Sequence, residues 1–186
     1  MITRLLTLLL LPALAACGGD EPPLEVPPAA KLNREAVGYY CGMIVADHSG
    51  PKGQLFLKGH SSPLWFSSVR DTIAFTMLPE ESKDIAAIYV HDMSQATSWD
   101  APGDEAWMEA ASAVYVIGSS RRGGMGAMEA VPFSDSEAAT NFANENGGHV
   151  VSWDEIPLDY VLGGPEAEPP PTNDPSDSIK PENQHE

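Results

Sequence analysis

The chain is poor in cysteine, poor in positive charge, and without an apolar run long enough for a permanent membrane span. Among 186 residues only Cys17 and Cys41 are cysteines, so no disulfide-stapled fold is available once either thiol is committed elsewhere. Ten Lys and Arg stand against 27 Asp and Glu, a formal charge of −17. Such a surface repels phosphate backbones and anionic lipid headgroups, which excludes nucleic acid as a partner. The main apolar stretch, residues 5–11, is too short to cross a bilayer as a helix. Catalytic signatures are missing as well: there is no CxxC, no Gly-x-Ser-x-Gly, no phosphate-cradling glycine loop with lysine, and no His-Glu-x-x-His.

What is present begins at the N-terminus. Arg4, the apolar stretch and then Leu14-Ala15-Ala16-Cys17 form a lipoprotein signal pattern. An ordinary secretory site would need small residues but no thiol. Residues 1–16 are expected to be removed, leaving Cys17 lipidated at the mature N-terminus and anchored by its acyl chains. Gly18 follows the cysteine where Asp would otherwise retain the protein, so the periplasmic face of the outer membrane is the expected destination. Cleavage takes away one base, Arg4, and no acid, so the mature chain is more acidic still. Cys41 is then a lone thiol in an oxidising compartment.

Pro22, Pro23, Pro27 and Pro28 with acidic neighbours mark residues 17–32 as a flexible tether. Residues 163–186 carry six acids, one lysine and prolines from Pro165 to Pro181. Too apolar-poor to form a core, they are expected to be a disordered acidic tail. The folded domain is thus placed at 33–162. Inside it runs a weak repeat. Leu64-Trp65-Phe66-Ser67 and Val131-Pro132-Phe133-Ser134 each precede a helical pattern, with Phe75 and Phe142 at matching positions. Val69, Ile73 and Met77 line one face of the first helix, which Pro79 ends. The second has a capping-box pattern at Ser134 and Glu137 and a stop at Gly147-Gly148. Strands are expected at 54–58, 64–66, 85–91, 113–117, 129–133 and 149–153. The class is α+β: two strand–strand–helix (ββα) units, about 36–110 and 111–162, sharing one core.

The chemistry centres on Tyr40-Cys41-Gly42-Met43. A thiolate and a thioether two residues apart, with glycine between, can both face one ion. These soft donors select Cu(I), whereas zinc would call for more thiolates or imidazoles. A third donor is expected, and Met125 in Arg121-Arg122-Gly123-Gly124-Met125-Gly126 is the best placed, because the glycines leave its side chain unencumbered. Met128, His48 and the pair His91 and Met93 are further possibilities. Competing readings are plain ones. A free cysteine is often buried and inert; Met77 and Met108 read as core; Met93 and Met128 read as gap-fillers; His60, His149 and His185 read as solvent-facing; Asp92 reads as a strand-end residue. A nucleophile pair of Cys41 with His91, or a docking lipoprotein with Cys41 buried, are the alternatives from other classes.

Together, Cys41-Gly42-Met43, Leu64-Trp65-Phe66-Ser67-Ser68, Asp84-Ile85-Ala86-Ala87-Ile88-Tyr89-Val90 and Gly123-Gly124-Met125-Gly126 before Val131-Pro132-Phe133-Ser134 closely resemble the NosL family, lipoproteins associated with maturation of nitrous-oxide reductase. The resemblance implies a periplasmic Cu(I) chaperone, not an enzyme, that supplies copper to the reductase together with an ABC-type membrane assembly complex. It also implies a fold related to the treble-clef-like organomercurial lyase domain, and a metal site at Cys41, Met43 and Met125. The second thiolate that carbon–mercury cleavage would need is absent from the mature chain.

Overall fold

The structure is a computed structural model, and it describes residues 26–163. The signal peptide, Cys17 and the acidic tail beyond Gly163 lie outside the described residues. Four elements occur twice in the same order. The first set is β1 (Gly53–Leu57), β2 (Leu64–Phe66), α1 (Val69–Met77) and β3 (Ile85–His91). After β4 (Trp107–Glu109) comes the second set: β5 (Val114–Ile117), β6 (Val131–Phe133), α2 (Ser136–Asn146) and β7 (His149–Ser152). A short α3 (Leu158–Leu162) closes the described chain. The repeat is therefore ββαβ, one strand longer than the ββα unit expected.

Each first strand lies centrally between the second and the last, all antiparallel, giving sheet orders β2-β1-β3-β4 and β6-β5-β7. Corresponding registers repeat too, with Gly53 opposite Phe66 and Val114 opposite Phe133. The paired phenylalanines explain why the pattern was visible in sequence. Phe66 packs on Phe75 with ring centroids 5.8 Å apart, and Phe133 on Phe142 at 5.2 Å. Each pair pins a helix to its own sheet. Between the two units lies one shared core of Val69 and Ile73 from α1, Val90 from β3, Tyr115 and Ile117 from β5, and Tyr160 and Val161 from α3. Met77 and Met108 pack against it, as expected. None of the described helices is long and apolar enough to cross a membrane.

Three local expectations change. Asp135, not Ser134, caps α2 by accepting from the Glu137 N–H at 2.9 Å. Ser134 is instead taken by Asp92, its N–H and hydroxyl lying 2.9 and 2.5 Å from the two carboxylate oxygens. Asp92 also accepts from Ser94 N–H and the Gln95 amide, so this buried residue joins the end of β3 to the second unit. The sixth strand starts at Val131, and Glu129 lies outside it. Lastly, part of the expected tether is held against the body. Tyr89 donates its hydroxyl to Pro27 O at 2.8 Å, and the buried Gln54 amide exchanges two hydrogen bonds with the Ala30 backbone.

Candidate metal centre

Cys41 and Met43 sit on a tight turn just ahead of the first unit. Gly38 N–H donates to Met43 O, and Gly42 N–H to Gly38 O, both at 2.8 Å. The turn closes at Gly42 with φ +66°, a backbone region open to glycine and costly for most other residues. It is fastened to β2 by Tyr39 N–H donating to Trp65 O at 2.7 Å. Tyr39 and Tyr40 brace it further, packing on Phe66 and giving their hydroxyls to Glu81. Cys41 is half-buried, with Sγ 3.7 Å from the Ser67 hydroxyl. Met43 is 43% exposed.

Met125 sits on a second turn, between a bridge of Arg122 with Met128 and internal bonds from Gly123 N–H to Ala127 O and Gly126 N–H to Gly123 O. The glycines are needed for close approach. A Cβ on Gly124 would lie 2.7 Å from the Ser67 carbonyl oxygen and 2.6 Å from His48 Cβ; one on Gly123 would lie 3.3 Å from Ser68 Cβ. Both turns thus rest on the Ser67–Ser68 corner that leads into α1, where Ser68 caps the helix by accepting from Asp71 N–H at 3.0 Å. At 47% exposure, Met125 has its side chain open to solvent.

The other suggested donors go elsewhere. Met128 is buried in the shared core and cannot stand in for Met125 without vacating it. Met93 packs against the buried cluster of Val116, Val131, Phe133 and Ala139. His91 is fully buried against Trp107, ring centroids 3.9 Å apart, and its Nδ1 accepts from Lys52 N–H. That leaves the soft pair His91 and Met93 divided between two packed environments. His48 supports the site by a different route: Nδ1 donates to Gly124 O at 3.0 Å, holding the Met125 turn from behind. No group of three or more His, Cys, Asp or Glu able to hold a metal occurs among the described residues. Sequence reasoning missed Ser67 as the common support. Its signals were its place in the repeated motif and directly before a capped helix.

Burial, with Lys52 nearby, pushes His91 down to about 3. A histidine kept neutral this way lowers stability when the unfolded chain can protonate and the folded one cannot. Stability is therefore full above about pH 6.5 and falls as pH drops towards 3, by up to about 1.4 kcal/mol per unit. His91→Phe, which keeps a ring on Trp107, is expected to flatten this acid limb in urea unfolding between pH 6.5 and 4. An unchanged limb would assign it to other groups.

The sequence pattern of the NosL family matches residues 28–161. This chain belongs to the NosL family. A "Copper-binding lipoprotein NosL" of Achromobacter cycloclastes is 45% identical over 183 residues, covering 96% of this chain and 94% of the relative. A protein of the same name from Stutzerimonas stutzeri is 34% identical over 152 residues, covering 82% and 78%. Among solved structures, that of "the copper chaperone NosL from Shewanella denitrificans" superposes with a TM-score of 0.66 at 34% identity, over 74% of this chain and 98% of that one. The duplicated α+β architecture is thus the NosL fold.

Proposed function

We propose that this protein is a Cu(I) metallochaperone, a carrier and not an enzyme, anchored by lipid on Cys17 at the periplasmic face of the outer membrane. It supplies copper for the centres of nitrous-oxide reductase, directly or through an ABC-type membrane assembly complex. The names of the relatives, a copper-binding lipoprotein and a copper chaperone, support the metal, the carrier role and the anchor.

The observation that carries the reading is the meeting of two turns on one corner. The Cys41 thiol touches the Ser67 hydroxyl, and the Met125 turn packs on the Ser67 carbonyl. One thiolate and two thioethers form a soft, low-charge donor set that retains Cu(I) and discriminates against zinc. Binding displaces the thiol proton. The two thioethers are largely exposed, so a recipient's ligand can add before one of them leaves. Transfer then needs no free ion and no unfolding.

An anaerobic Cu(I) titration of the full-length protein against a chromogenic chelator tests this, and one tight equivalent is expected. Met43→Ala and Met125→Ala should each weaken binding on the order of tenfold or more. Because both side chains are exposed, unfolding midpoints should move by no more than about 0.5 kcal/mol equivalent. Unchanged affinity in both variants would remove the thioethers from the site.

A further inference from the structure

Glu129 is a fully buried carboxylate that the metal site as described does not use. Oε1 accepts two backbone hydrogen bonds, from Arg70 N–H at 2.9 Å and Ala130 N–H at 3.0 Å. Arg70 is the second residue of α1, so this oxygen satisfies one of the free N–H groups of the first helical turn. Oε2 is buried with no hydrogen-bond partner among the described residues. It faces the metal-site turn: a Cβ on Gly123 would lie 2.4 Å from it. The residue is fixed from its own backbone too, since Tyr160 donates its hydroxyl to Glu129 O at 2.8 Å.

A packing role alone does not call for a carboxylate here. Oε1 serves the Arg70 and Ala130 N–H groups, but leaving Oε2 unpartnered in the interior carries a desolvation cost that this role does not explain. Glu129 keeps that cost while touching both supports of the site. One oxygen grips the first turn of α1, directly after the Ser67–Ser68 corner, and the other abuts the backbone two residues before Met125. Burial pushes the carboxyl up to about 8, the Arg70 and Ala130 N–H groups and Lys52 opposing and Asp71 adding.

We propose that Glu129 is a positioning residue for the metal site, spacing the Gly123-Gly124-Met125 turn from the Ser67 corner so that Met125 can share an ion with Cys41. The inference rests on the reading of Met125 as a ligand and extends it to the residue behind.

The test compares full-length Met125→Ala, Glu129→Ala, Glu129→Gln and the Met125→Ala/Glu129→Ala double variant. Cu(I) affinity is measured by competition, and the sulfur ligands are counted by copper X-ray absorption. Glu129→Ala is expected to weaken binding about tenfold and to remove one sulfur from the copper shell. Glu129→Gln, which keeps the volume and an acceptor for Arg70, should stay within about twofold of the parent. The double variant should bind no worse than Met125→Ala alone, because both changes remove the same contact. Additive losses, or a full sulfur count in Glu129→Ala, would overturn the positioning role while leaving Met125 a ligand. If Met125→Ala itself changes neither affinity nor sulfur count, the ligand reading and this inference fall together. Should Glu129→Ala not fold, Gly123→Ala presses on the same contact from the other side. It is expected to lose the same sulfur, and retention of that sulfur would equally overturn the proposal.

Discussion

Cys41→Ser is expected to lower Cu(I) affinity on the order of a hundredfold or more, the largest effect of any single change at this site. Cys41 is the one free cysteine among the described residues and so their one anionic soft donor; the proposed partners Met43 and Met125 are neutral. A hydroxyl in the same place is hard and stays protonated, so two thioethers remain to hold the ion. The substitution also suits the cavity, because Sγ is hemmed in, 2.5 Å from where a Cβ on Gly38 would stand, and oxygen is smaller than sulfur. Folding should therefore survive, and a loss of binding reports the ligand. A chelator competition beside the parent protein measures it. In parallel, one equivalent of Cu(I) should protect Cys41 in the parent from a thiol reagent. Wild-type affinity in the serine variant, or labelling indifferent to copper, would sink the assignment.

Asp92→Ala should have the largest effect on stability, a loss of roughly 3 kcal/mol read as a shift in the urea midpoint. The carboxylate collects bonds from Ser94, Gln95 and both polar groups of Ser134, and Met93 N–H donates to Pro132 O alongside at 2.9 Å. This is a polar junction between the two ββαβ units, so its removal strands donors on both sides. Burial acts to raise the Asp92 pKa, but the hydrogen bonds from Ser134 and Ser94 outweigh it and hold the carboxyl below its ordinary value. A carboxyl depressed on folding contributes stability above its unfolded pKa and loses it as pH falls through the folded one. Asp92→Ala should accordingly erase that part of the acid sensitivity. A variant as stable as its parent would show that hydrophobic contact alone joins the units.

The repeat was legible because it is written in local spacing. Phe66 with Phe75 and Phe133 with Phe142 sit the same number of residues apart, straddling a strand end and a helix. The Cys41 and Met125 turns were legible for the same reason, each being a donor beside glycine in a short segment. What escaped depends on partners far away in the chain. Ser134 looks like a cap for its own helix, yet Asp92 claims it and Asp135 does the capping. Glu129 reads only as the first residue of an expected strand, and the approach of α1, with Arg70, is what gives a buried acid a partner there. The proline-rich segment before residue 33 reads as free linker, because no local pattern reveals that Gln54 and Tyr89 lie ready to bind it.

That last contact sets the reach of the leash. With the backbone gripped at Pro27 by Tyr89, an anchor on Cys17, as proposed, would leave a line of at most about 35 Å between membrane and body. A carrier held by that proposed anchor would sweep a thin layer along the bilayer. Any acceptor embedded in that same membrane meets it at high effective concentration. One reaching across from the opposite membrane must extend into that layer to collect its metal. Loosening the grip with Tyr89→Phe would lengthen the line by several residues and deepen the layer, without altering a single ligand.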